Sequence, residues 1–267
     1  MVETLRLYGR YIGASVRGQM QYRASFVLMS IGQLFATGME FLGIWALFYR
    51  FSSLVGWSLP EIALFYGMIH CAFAFADGFG RGFDVFPSMV KTGDFDRLLV
   101  RPRSTVFQVA ARDLQLMRVG RLTQGLLVLL WAIGALGITW TVARVGLLLA
   151  AIAGAACFFL GLFVLQATLS FWTIETLEIC NIVTYGGVET AEFPLSIYRT
   201  WFRWFFTLVV PLACANYYPG LAILGKPDPA GAPELISWLA PLCGPLFLGV
   251  SMLVWRAGVR HYTSTGS

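Results

Sequence analysis

Charge is what this chain of 267 residues has least of: 12% of its residues are Asp, Glu, Lys or Arg, against 58% apolar, whereas ordinary soluble domains carry about 25% charged residues. The 19 basic and 14 acidic side chains are too few to cover a globule of this size. The mean hydropathy of +0.71 points the same way. The deficit excludes a water-soluble enzyme, a nucleic-acid-binding domain, a secreted disulfide scaffold and a disordered chain, and it leaves an integral membrane protein.

Histidine is nearly absent too. His70 and His261 are the two in the sequence, no HExxH or Cys/His cluster occurs, and no metal site is expected. Cys71, Cys157, Cys180, Cys214 and Cys243 are scattered without a CxxC pair and are expected as small buried hydrophobes rather than a disulfide framework. A phosphate-cradling P-loop is missing: Lys91 precedes Thr92, but Val90 stands where that loop needs Gly, and Pro227 follows Lys226. There is no GxSxG either. The run Asp77-Gly78-Phe79-Gly80-Arg81-Gly82 follows an apolar helix rather than a strand and fits a helix end, not a nucleotide fingerprint. The chain is therefore expected neither to bind ATP or another cofactor nor to be an enzyme. A cleavable signal is not expected, because residues 1–23 carry four arginines and no apolar core of 7–15 residues. Without internal repeats or a polar linker, residues 1–267 are expected to form a single domain.

Long apolar stretches are what the sequence does have. A bilayer core of about 30 Å needs about 20 apolar residues in helical form, and six stretches qualify: 26–49, interrupted by Glu40; 62–79, interrupted by Asp77; 122–139, with the helix starting nearer Asp113; 145–174; 204–224, with Pro211 and Pro219; and 235–255, with Pro241 and Pro245. The expected fold is an all-α integral membrane protein with six transmembrane helices. Its expected layout is an interfacial helix (1–25), spans one and two (26–80), a cytoplasmic segment (81–112), spans three and four (113–174), a cytoplasmic or interfacial segment (175–203), spans five and six (204–256) and a tail (257–267). With both ends on one side, that side and its loops hold thirteen Lys/Arg against three on the other, which places both termini in the cytoplasm. Seventeen of the 19 basic residues are Arg, a skew that fits a GC-rich bacterial genome and hence a bacterial cytoplasmic membrane.

At about 100° per residue, Leu5, Tyr8, Ile12 and Val16 share one side of the N-terminal segment while Arg6, Arg10 and Arg17 cluster on another. Such a helix lies on the membrane surface, packs on its own bundle, or does both. Ionisable groups inside spans are costly and point to function by default. Glu40 near mid-span and Asp77, one turn from Arg81, are the transport-path candidates, against a structural role for Glu40 and a local surface ion pair for Asp77. The most informative segment begins at Phe83: apolar Phe86, Met89 and Val90, a Gly93 break, acidic Asp94 and Asp96, apolar Leu98-Leu99-Val100 and a Pro102 stop form a compact amphipathic element. Its apolar face must be covered, by the membrane surface or by a cleft in a soluble partner.

The stretch Gly93-Asp94-Phe95-Asp96-Arg97-Leu98-Leu99-Val100-Arg101-Pro102 resembles the Gly-x-[aliphatic or aromatic]-[Glu or Asp]-x-Leu-Leu-x-x-Pro signature of ABC-2 type transporter permeases, and it stands between spans two and three as in that family. The tail Trp255-Arg256-Ala257-Gly258-Val259-Arg260-His261-Tyr262 is similar to the family's ending. A departure is the long segment around Tyr185, Gly186 and Gly187 and from Glu189 to Pro194. The resemblance implies the membrane half of an ATP-binding cassette exporter, paired with a second copy or a paralogous permease in the lipid bilayer. Two separate ATPase subunits would hold the ATP and magnesium. It implies a coupling role for Asp84, Phe86, Met89, Gly93, Asp94, Phe95, Asp96, Leu98, Leu99 and Pro102, support from the N-terminal helix, and a re-entrant turn at Asn216, Tyr217, Tyr218, Pro219 and Gly220, of which Tyr217, Tyr218 and Pro219 are further transport-path candidates. Aromatic residues at 15% suit an apolar or amphiphilic substrate, and lipid-facing rings explain them equally. The alternatives are an ion- or proton-coupled carrier using Glu40 and Asp77, or a scaffold that transports nothing.

Overall fold

The structure is a computed structural model and describes residues 2–113, 115–173 and 177–263; the side chains of 2–8, 116 and 177–179 fall outside that description. Helix α1 (Val2–Met20) leads into two long helices, α2 (Arg23–Arg50) and α3 (Leu59–Asp84). α3 starts where it does because two signals coincide. Pro60 sits in the first turn, where a missing N–H costs nothing, and the Ser58 N–H donates to Glu61 Oε2 at 2.9 Å in a capping box. Beyond that start α3 is apolar on every side, the mark of a central helix, and Ile62, Leu64, Phe65, Ile69 and Phe73 are fully buried.

A hook follows, made of α4 (Phe86–Lys91) and α5 (Asp94–Leu99), and then α6 (Thr105–Arg112). The chain breaks at Asp113, which is extended, and re-enters helix as α7 (Val119–Ala135), so the third long helix starts later than the sequence predicts. α8 (Val142–Leu169) also ends before the predicted residue 174. Next come α9 (Leu177–Ala191), α10 (Thr200–Trp204), α11 (Tyr218–Leu224), α12 (Glu234–Leu239) and α13 (Cys243–His261).

Contacts along these helices give α2, α3, α7, α8, α9 and α13 alternating directions. Tyr66 donates to the Thr37 carbonyl (2.8 Å) and accepts from Gln124 (3.2 Å), Phe73 packs on Phe159, and Gln166 donates to Asn181 (3.1 Å). Arg23–Arg50, Leu59–Lys91, Val142–Leu169 and Glu234–His261 are each long and apolar enough to cross a membrane, whereas Val119–Ala135 is apolar but shorter. The tightest crossing is between α8 and α13. A Cβ on Gly244 would lie 1.8 Å from the Gly154 carbonyl oxygen, and one on Gly154 would lie 2.4 Å from that of Pro241, so the two backbones meet with nothing between them. Gly154→Ala is expected to destabilise the protein by about 1–3 kcal/mol, seen as a lower unfolding temperature; an unchanged one would mean that the helices separate at no cost.

Two sequence expectations need correction. The segment 175–203 does not stay beside the hook. Asn181 lies near Asp84 through Gln166, yet Glu192 reaches His70 (3.0 Å) and Ser196 accepts from Trp57 Nε1 (3.0 Å), at the opposite end of α3. The chain from α9 to Ser196 therefore runs the length of α3, with α9 itself ending beside His70, near the middle of α3. Its acidic flanks, Glu178, Glu189 and Glu192, hid it from an apolar window, and His70 partners the last of them.

The stretch 204–224 is not one straight helix either. Thr200–Val209 and Ala213–Leu224 meet at 87°. The break falls at Pro211 rather than at 216–220: a proline cannot donate to the preceding turn and drives the residue before it out of helical backbone, and Val210 is extended (φ −114°, ψ 103°). Residues 216–220 are helical. Arg203 and Asp228 (3.5 Å) close the mouth of this hairpin.

Candidate functional site

At the Asp84 end of α3 the hook folds back on the bundle. Gly93, between α4 and α5, has φ +71°, a backbone that a residue with a side chain adopts only under strain. The turn brings Phe86 and Phe95, both 0% exposed, edge to face at 4.9 Å. Trp255 stands 4.8 Å from Phe86, and Tyr262 5.0 Å and Phe171 5.5 Å from Phe95. Trp255 also donates its indole N–H to Thr105 Oγ1 at 3.1 Å. Met89 and Leu98 are buried with them. What covers the apolar face of the hook is thus neither lipid nor a partner but this chain's own last helix and the turn after α8.

The polar coupling candidates divide. Asp84 pairs with Arg81 and accepts from Gln166 (3.3 Å). Asp94 is shared by Arg97 (3.4 Å) and Arg112 (3.3 Å), the latter on α6. Asp96 lies near Tyr262, whose phenol is pushed up by burial first and by that carboxylate second, so it stays neutral. Left outward are Lys91, Arg97, Leu99, Val100, Arg101 and Pro102, with Val100 83% exposed. Beside the hook α1 packs on α6, with Tyr11 edge-on to Phe107 (6.3 Å) and Ile12 and Val16 half-buried; Leu5 and Tyr8 lie outside the described side chains.

Above the hook a column of polar side chains climbs α3. Asp77 is fully buried, and its charge partner is Arg118, with Nε 2.7 Å from Oδ2, in a contact aligned for charge rather than for a linear hydrogen bond. The predicted surface pair with Arg81 does not form, since Arg81 turns to Asp84. Arg118 also donates to Gln33 of α2 (3.2 Å). Two turns further along α3, His70 Nε2 meets Glu192 Oε1 at 3.0 Å, its ring stacked 4.0 Å from that of Tyr66, with Glu40 beside them.

Tyr217, Tyr218 and Pro219 lie at the far end, away from the hook. Tyr217 is buried and donates to Asp228 (2.8 Å), while Tyr218 and Asp228 help line a cleft of about 330 Å³. Lys226 pairs with Glu61 (2.7 Å) over the Trp57 ring (4.2 Å). The hairpin is tied to the bundle by Asn216, whose amide donates to the carbonyls of Phe65 (3.2 Å) and Ala191 (2.6 Å). Sequence reasoning missed Glu192 and Arg118 as members of the site, and the partners of Asn216 with them. Each lies far along the chain from its partner, and no local spacing announces it.

A family model described as ABC-2 family transporter protein matches residues 34–266. No curated protein and no solved structure matches the chain.

Proposed function

The chain belongs to the ABC-2 family of transporter proteins, and from that membership we propose that it is the permease subunit of an ATP-driven exporter, powered by two separate ATPase subunits that bind the outward face of the hook and hold the ATP and magnesium. The observation that carries the reading is the two-sidedness of the hook. Its apolar side is fixed to α13 and the end of α8 by the Phe86, Phe95, Trp255 and Tyr262 rings, and its other side stands free. A push on the free side must then move the bundle rather than bend a loop. ATP-dependent closure of the partners, differing in affinity for two arrangements of the membrane dimer, would shift the protein between them.

In this reading α2, α3, α7, α8, α9 and α13 are the six crossings, the 200–224 hairpin is re-entrant, and the second permease is another copy or a paralogue. Moving Arg199 and Arg203 to the far side leaves twelve Lys/Arg with the hook and five opposite. That tally still favours a cytoplasmic hook and cytoplasmic termini in a bacterial inner membrane. The substrate class that fits is apolar or amphiphilic.

The test is purification of the permease with its companions. Expected are ATPase subunits in the preparation and ATP hydrolysis that responds to substrate. Replacing exposed Leu99 and Val100 together by Asp should remove the ATPase while changing the stability by no more than about 0.5 kcal/mol, the range of surface substitutions. Uptake driven by a pH gradient in the permease alone would contradict the proposal.

A further inference from the structure

Glu40 of α2, His70 of α3 and Glu192, just past α9, come from three separate elements and bring one ligand atom each to within 4.8 Å of one another. We propose that this triad binds a divalent first-row transition ion of the zinc type. The donor set is the first reason. Two carboxylate oxygens and one imidazole nitrogen are ligands that zinc and its neighbours accept, with a fourth position left for water.

Geometry is the second reason. Metal–ligand bonds of about 2.0–2.2 Å put tetrahedral donors roughly 3.4 Å apart, and His70 Nε2 and Glu192 Oε1 already stand 3.0 Å apart. Glu40 has only a small distance to close and is free to close it, since it makes no hydrogen bond or ion pair among the described residues. The imidazole is held in place from behind. It is 0% exposed and stacked on Tyr66, which is itself tied to the Thr37 carbonyl of α2 (2.8 Å). The stack fixes the plane of the ring, whereas the outer hydrogen bond that usually orients a metal-binding histidine is not made by Nδ1.

Charge is the third. Two carboxylates share a low-dielectric site, where unneutralised charge is costly, and Arg121, whose guanidinium attracts both of them, does so without a direct ion pair. Arg121 lays its guanidinium over the Phe73 ring at 5.1 Å and pairs with no carboxylate among the described residues. His70 Nδ1 is buried without a hydrogen-bond partner, so one imidazole contact is all that the protein supplies. A bound ion would clamp α2, α3 and the end of α9 in one arrangement, whichever subunit powers the transporter.

The experiment uses the full-length chain, purified without a histidine tag and stripped with a chelator. Zinc chloride is titrated calorimetrically, cobalt(II) is followed by its visible absorption, and magnesium serves as control. Expected are one saturable zinc per chain, a cobalt spectrum of low coordination number, no response to magnesium and an unfolding temperature raised by zinc. Glu40→Gln, at an exposed position that does not endanger folding, and His70→Asn should each weaken zinc at least tenfold, while His261→Asn should leave it unchanged. Absence of saturable binding, unaltered affinity in Glu40→Gln, or loss of binding in His261→Asn would overturn the assignment.

Discussion

Phe95→Ala should destabilise the protein by about 3–5 kcal/mol, the cost of emptying a fully buried aromatic site. Phe95 is 0% exposed and meets Phe86, Phe171, Trp255 and Tyr262 within 6.3 Å. The substitution therefore leaves a cavity where the hook, the end of α8 and the end of α13 converge. Phe95→Leu should cost far less. ATPase association should fall in proportion to stability, because the hook would lose its anchorage rather than a contact. Thermal or denaturant unfolding of the detergent-solubilised chain reads the effect. A normal unfolding temperature with the ATPase lost would show instead that Phe95 faces the partner. Since the rings share one cluster, Trp255→Ala in the same background should cost less than it does alone.

Arg118→Ala should be as damaging, again about 3–5 kcal/mol, for a different reason: it leaves Asp77 buried without its counter-charge. Asp77 is 0% exposed, and Arg118 Nε lies 2.7 Å away. The decisive comparison is the double variant Asp77→Asn with Arg118→Met, which removes both charges and keeps similar volume; it should recover most of the lost stability. If the double variant were no better than Arg118→Ala, the loss would belong to the Arg118–Gln33 contact or to packing rather than to a stranded carboxylate.

How far the sequence could be read follows from what each feature depends on. α2 and α3 were legible to within about five residues at their ends, because an apolar run marks the body of a helix, whereas the start signal of Ser58, Pro60 and Glu61 went unread. The hook was legible as a hook because Gly93 and Pro102 punctuate it. Its covering was not: the rings that bury Phe95 come from positions 171, 255 and 262, and no local pattern tells an apolar face awaiting a partner from one already packed. α9 was lost because Glu192 makes its end look soluble, and only His70, 122 positions away, offsets that charge. Likewise Asp77 looked like a partner for Arg81 one turn on, whereas the fold supplies Arg118 from another helix. The hairpin at Pro211 was half legible. Proline announced a break, and only the pairing of Arg203 with Asp228 reveals that the chain turns back.

Coupling of this kind requires the hook to be anchored on one side and gripped on the other. A photo-crosslinking amino acid placed at Val100, and separately at Phe95, in the membrane of living cells tests this directly. Position 100 should crosslink to a nucleotide-hydrolysing subunit, and position 95 only within the permease itself. Crosslinks from position 100 to lipid alone, with no such subunit captured from that face in any nucleotide state, would contradict it.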